Sequence, residues 1–158
     1  MPQVKKAIEV LEDDLIPSSP STESKIFNLK MLGDCYRYIA QSVTNVDKAE
    51  LESVVLKSWK AYEEASRFVV PALSPTHPIR LGLAMSMALF QHDILSSPER
   101  ALYLLHHAWT EGSAEIDTIT EEMWKDSALM LQRVRNNLTL WASDLQDARE
   151  DIDDPEFD

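Results

Sequence analysis

The stretch that decides the fold is Glu23-Ser-Lys-Ile-Phe-Asn-Leu-Lys-Met-Leu-Gly-Asp-Cys-Tyr-Arg-Tyr38. Its apolar residues Ile26, Leu29, Leu32 and Tyr36, continued by Ile39, recur every three or four positions. That is the period of a helix burying one face. Ser21 and Thr22 are candidate caps, and Pro17-Ser-Ser-Pro20 separates the segment from what precedes it. A helix is therefore predicted to start after these caps and to run to about residue 43. Lys30 and Arg37 stand seven positions apart, on one face and about two turns from each other. Arg37 can offer a planar fork to an oxyanion, and the neighbouring Tyr38 a hydroxyl. Helix geometry alone makes these residues surface groups whose stems lie along the helix.

Working outward, the eight prolines fall at the edges of periodic segments, and the proline-free intervals between them are helix space. No alternating strand pattern of useful length occurs. The class read from the chain is all-α, an antiparallel array of about six helices. The first is expected over about 3–15, with Val4, Ile8, Leu11 and Leu15 as its stripe. Asp47 and Glu50 form a capping-box-like start to a third helix over about 48–70. A fourth, about 78–95, is apolar nearly all round and should be central. Ser97-Pro98-Glu99 opens a fifth, expected to run through Gly112 to about 118. Thr118 and Glu121 are candidate caps for a sixth, expected to end near Ser143. No repeat of solenoid length is visible.

Composition sets the outer limits. A chain of 158 residues is one domain's length, and its hydrophobic content of 44% argues against global disorder. The 15 basic against 27 acidic residues give a formal charge of -12, which disfavours binding nucleic acid through the net field. The single cysteine, Cys35, allows no internal disulfide and suits a reducing compartment. The longest nearly apolar run, Leu81 to Phe90, is half the roughly 20 residues a membrane span requires, and no signal-peptide pattern opens the chain. A cytoplasmic location is expected, with the nucleus also open. Residues 145–158 hold seven acids and only Arg149 in opposition. This divides the chain into a helical domain over 1–144 and an acidic disordered tail over 145–158, read as solubilising. The other reading of the tail is an acidic strand competing for a basic groove on the same molecule.

Four motifs carry a resemblance: the stretch from Glu23 to Tyr38, Thr76-His-Pro-Ile-Arg-Leu-Gly-Leu-Ala84, Lys125-Asp-Ser127, and Arg135-Asn-Asn-Leu-Thr-Leu-Trp-Ala-Ser-Asp144. In this order and spacing they resemble the C-terminal part of a 14-3-3 protein, over about residues 8 to 144. The resemblance implies a helical cup that binds phosphoserine or phosphothreonine peptides in a concave groove, and no enzymatic activity or cofactor. It carries phosphate binding onto Lys30, Arg37 and Tyr38. It carries peptide binding onto Met85, Ser86, Leu89 and Asp93 of the fourth helix, and onto Arg133, Asn137, Leu140 and Trp141 of the last. Asn137 would hold peptide backbone, with Leu140, Trp141, Met85 and Leu89 as an apolar wall. The implied partners are phosphorylated client proteins.

The pattern also departs from the family. The family's first three helices have no counterpart, and with them go two phosphate-holding bases and the usual dimer contacts. Two charged hydrogen bonds at about 1.5–3 kcal/mol each correspond to roughly 10² to 10⁴ in affinity. A weakened adaptor is therefore expected, with no standard dimer and with self-association of another kind left open. Ser86 stands where the family has an asparagine, and Asp93 where it has a glutamate. Arg133 replaces an apolar groove residue. It either adds a cation to the groove or points from its rim into water. The alternative to an adaptor is a helical interaction fragment that associates with other 14-3-3-like chains without reading phosphate.

Other constellations lead nowhere comparable. The histidines are His77, His92, His106 and His107, with no His-x-x-x-His or Cys-x-x-Cys spacing, so no metal site is expected. No glycine-rich phosphate loop or nucleophile elbow occurs. Asp13, Asp14 and Asp34 offer carboxylates without a catalytic partner pattern.

Overall fold

The structure is a computed structural model that describes residues 2–42 and 47–153. Residue 43, the expected end of the second helix, and residues 154–158 of the acidic tail lie outside the described residues. Six α-helices account for most of the rest: α1 (Pro2–Val10), α2 (Thr22–Ser42), α3 (Lys48–Ala72), α4 (Pro78–Leu89), α5 (Pro98–Glu115) and α6 (Glu121–Asp153). Among the described residues there is no strand. Consecutive helices pack on each other, and α4 touches α2, α3, α5 and α6, as its all-round apolar surface predicts. No helix is long and apolar enough to cross a membrane among the described residues.

Two helices end in a wider turn. α1 runs on as a π-helical turn over Leu11–Leu15, and α4 as another over Phe90–Ile94. Each closes on a five-residue hydrogen bond: Ile16 N to Leu11 O at 2.9 Å, and Leu95 N to Phe90 O at 3.2 Å. Such turns re-aim the side chains they carry. The second turn carries His92 and Asp93.

Helix starts follow the local chemistry in part. Ser21 Oγ accepts from Ser24 N at 3.1 Å and caps α2. His77 Nδ1 accepts from Ile79 N at 3.1 Å, with Pro78 following it, so α4 is capped by an imidazole. The capping box at α3 is corrected: Asp47 takes the cap position, but its carboxylate accepts no bond from the first turn. Thr118 does not cap α6 either. Its hydroxyl donates to Glu115 O at 2.7 Å, closing a 3₁₀ turn over Ile116–Thr118. Pro71 lies inside the last turn of α3 rather than beyond it.

The end of α6 needs a larger correction. The helix continues past Ser143 to Asp153, so the acid-rich stretch is helical that far instead of forming an irregular tail from residue 145. No glycine or proline interrupts it before Pro155. Gln146 Nε2 also donates to Glu150 Oε1 at 3.4 Å, one turn on.

The core lies in three connected clusters. Ile26, Leu29, Tyr62, Ala65, Leu83 and Phe90 join α2, α3 and α4. Ile8, Leu11, Leu32, Tyr36 and Ala61 seat α1 and its π-helical turn against α2 and α3. Ala88, Ala101, Leu105, Val134 and Trp141 join α4, α5 and α6. Phe90 stacks on Trp59 at 5.4 Å and meets the edge of Tyr62 at 6.0 Å. Each aromatic pair contributes about 0.5–1.5 kcal/mol beyond its buried area.

Candidate functional site

Three charged residues of α2 share one face. Lys30, Asp34 and Arg37 stand at the helical spacings of four and three. Lys30 Nζ lies 2.9 Å from Asp34 Oδ2, and Arg37 Nη2 3.5 Å from Asp34 Oδ1. From α3, the Tyr62 hydroxyl donates to Asp34 Oδ1 at 2.6 Å and accepts from Arg37 Nε at 3.2 Å. Arg37 is therefore not a surface side chain. Its residue is only 6% exposed, and its guanidinium is fixed from two directions. Burial disfavours the Arg37 cation, but the Tyr62 oxygen and the Asp34 carboxylate outweigh it and hold its pKa above the ordinary value. Tyr62 moves the same way: burial first, then Asp34, push its phenol up, so it remains a donor.

Tyr62 reaches this position because Gly33 has no side chain. A Cβ at Gly33 would lie 2.5 Å from Tyr62 Cε1. The same close approach brings Ser58 Oγ to 2.8 Å from the Gly33 carbonyl, to which it donates. Tyr38 is placed differently from Arg37. It is exposed, with its ring 4.9 Å from Arg37 Cζ, a cation–π contact. The arrangement is thus two cations on one carboxylate, with a free phenol beside them. It keeps one net positive charge.

The second group of candidate residues lies on α4, its π-helical turn and α6. Asn137 Nδ2 donates to Met85 Sδ at 3.4 Å, linking the two helices. Met85 and Leu89 are half-buried, and Ser86 is buried. Asp93 is turned toward α2, where Gln41 Nε2 donates to its Oδ2 at 3.3 Å. Its Oδ1 is 2.7 Å from His92 Nδ1. The His92 ring in turn lies flat on Trp141, with centroids 4.2 Å apart and planes 9° apart. Trp141 itself is a core residue, 7% exposed, whereas Leu140 beside it is more than half exposed. Arg133 is exposed one turn before Asn137.

The α2 and α6 groups meet over α4 at Gly82. The Lys30 stem and the Met130 methyl both approach the point where a Gly82 Cβ would stand, at 3.2 and 3.8 Å. This gives a polar face on α2, an α4 floor with its π-helical turn, and an α6 wall.

The sequence model of the family described as 14-3-3 protein matches residues 2–142. The chain belongs to the 14-3-3 family. It is 46% identical over 140 residues to a 14-3-3-like protein of Chlamydomonas reinhardtii, covering 89% of this chain and 53% of that protein. It is 48% identical over 141 residues to 14-3-3-like protein A of Glycine max, covering 89% and 53%. Against 14-3-3-like protein C of Nicotiana tabacum it is 45% identical over 153 residues, covering 96% and 58%. The chain spans about half the length of the curated relatives it matches.

Within this 14-3-3 chain, Asp34, Tyr62, Gln41 and His92 contact the candidate residues without being among those predicted from the sequence. Asp34 had a signal: it lies four residues after Lys30 and three before Arg37. Tyr62 had none, because its hydroxyl reaches the site only through the packing of α3 on α2.

Proposed function

We propose that this chain is a non-enzymatic adaptor that binds phosphoserine or phosphothreonine peptides, acting in the cytoplasm on phosphorylated client proteins. The observation that carries the reading is the α2 cluster. Lys30 and Arg37 share Asp34, and Tyr62 locks the Arg37 fork in place. A pre-oriented guanidinium loses little freedom on binding a phosphate, and each charge-assisted bond there is strong. Lys30, Arg37 and Tyr38 would hold the phosphate. Asn137 would hold the peptide backbone, with Ser86 and Asp93 as further peptide contacts and with Met85, Leu89, Leu140 and Trp141 on the apolar side. Arg133 stands at the edge of this wall. No cofactor is required.

One titration tests the reading: the same peptide, phosphorylated and unphosphorylated, measured by calorimetry. The phosphorylated form should bind at least tenfold tighter. Arg37→Lys keeps a counter-ion for Asp34 but removes the planar fork, and should erase most of that difference. Equal affinities for the two peptides would refute the adaptor reading. They would favour a helical interaction fragment, for which the exposed Val10, Leu15, Phe27 and Met31 along α1 and α2 supply an apolar face.

A further inference from the structure

Arg133 is a cation that its own helix does not neutralise. The residues three and four positions away are Leu129, Met130, Asn136 and Asn137. The helix-neighbour ion pair that Arg67 makes with Glu63 at 2.8 Å is therefore closed to it. Among the described residues Arg133 joins no ion pair, and its polar contact is Nη1 to Met130 Sδ at 4.0 Å. Lys30 and Arg37 differ in this respect, since both face the one carboxylate of Asp34. Arg133 keeps its whole charge.

Its position ties that charge to the groove. Asn137, one turn on, bonds Met85 of α4. Met130, one turn back, packs its methyl toward Gly82, where the Lys30 stem also arrives. Met130 thus links Arg133 to the point on Gly82 that the Lys30 stem also reaches. These contacts limit the distance from Arg133 Nη1 to Lys30 Cε to about 13 Å, the length of about four residues of extended peptide.

Resting on the phosphopeptide reading, we propose that Arg133 recognises an Asp or Glu side chain of the bound peptide, up to about four residues from the phosphorylated one. The substrate class is then a doubly anionic peptide: a phosphate held on α2 and a carboxylate held on α6. An exposed guanidinium gains modestly from such a contact. The expected preference is about two- to fivefold at low ionic strength, shrinking as salt is added.

The test uses the full chain and a set of peptides that share one phosphoserine in an alanine background. Each peptide carries a single Asp within five residues on either side. One Asp position, or two neighbouring ones, should bind about two- to fivefold tighter than the all-alanine phosphopeptide. Arg133→Leu should bring the affinity ratio between that Asp peptide and the all-alanine phosphopeptide back to about one, and Arg133→Lys should restore part of the ratio. A gain that survives in Arg133→Leu overturns the proposal, as does a set in which no Asp position is preferred. Should the all-alanine phosphopeptide bind no better than its unphosphorylated form, the phosphopeptide reading itself fails, and this inference with it.

Discussion

Tyr62→Phe is the sharpest test of how the α2 cluster is held. The ring is fully buried, so phenylalanine keeps its contacts with Gly33 and Phe90 and leaves no cavity. What disappears is the hydroxyl, with its 2.6 Å bond to Asp34 and its 3.2 Å bond from Arg37. Hydrogen bonds to charged groups contribute about 1.5–3 kcal/mol each. Asp34 retains Lys30 and Arg37, and Arg37 retains Asp34, so partial compensation brings the expected loss to about 2–4 kcal/mol. At this chain length each kcal/mol lowers Tm by about 2–4 °C, which gives a fall of about 4–16 °C. Calorimetric melts at pH 7 measure it. Tyr103→Phe serves as the control: Tyr103 is 70% exposed and should stay within about 0.5 kcal/mol of the parent. A Tyr62→Phe protein melting within about 2 °C of the parent would show that the hydroxyl network contributes nothing net.

Three further variants have outcomes set by the same structure. Gly33→Ala puts a methyl 2.5 Å from a rigid, buried ring, and overpacking of about 1–3 kcal/mol should outweigh the roughly 1 kcal/mol gained in helix propensity. Gly82→Ala meets only the flexible ends of Lys30 and Met130 and should be neutral or stabilising by up to about 1 kcal/mol, so urea midpoints should move in opposite directions or differ clearly. Burial, then the charge of Asp34, push the Cys35 thiol above its ordinary value of 9.0. As pH rises past about 9 the unfolded chain releases that proton while the folded chain keeps it, so the unfolded state binds fewer protons and stability falls. Cys35→Ala should flatten the decline in urea midpoint between about pH 9 and 10; an unchanged slope would remove Cys35 as its source.

Much of the architecture was legible in the chain. Stripes such as Ile26, Leu29, Leu32 and Tyr36 announce a helix wherever they fold, because a buried face recurs with the helical period. Pro78 and Pro98 mark two helix starts for an equally local reason. The end of α6 was misread because acidity was taken for disorder, although the stretch contains no helix breaker before Pro155. The caps at Asp47 and Thr118 failed because candidate side chains found other partners or none.

By itself the sequence determined the helices, their order, the central place of α4, and the family to which the chain belongs. It also placed Lys30 and Arg37 on one face, since helical spacing is a property of the backbone alone. Only the tertiary structure decided what those residues are. Packing of α3 against α2 at Gly33 buries Arg37, brings Tyr62 to it, and turns two nominal surface cations into a fixed pair on Asp34. Packing of α4 beneath α6 decides that Trp141 belongs to the core under His92. Burial and hydrogen-bond partners are set by which helices touch, and no spacing within one helix encodes that.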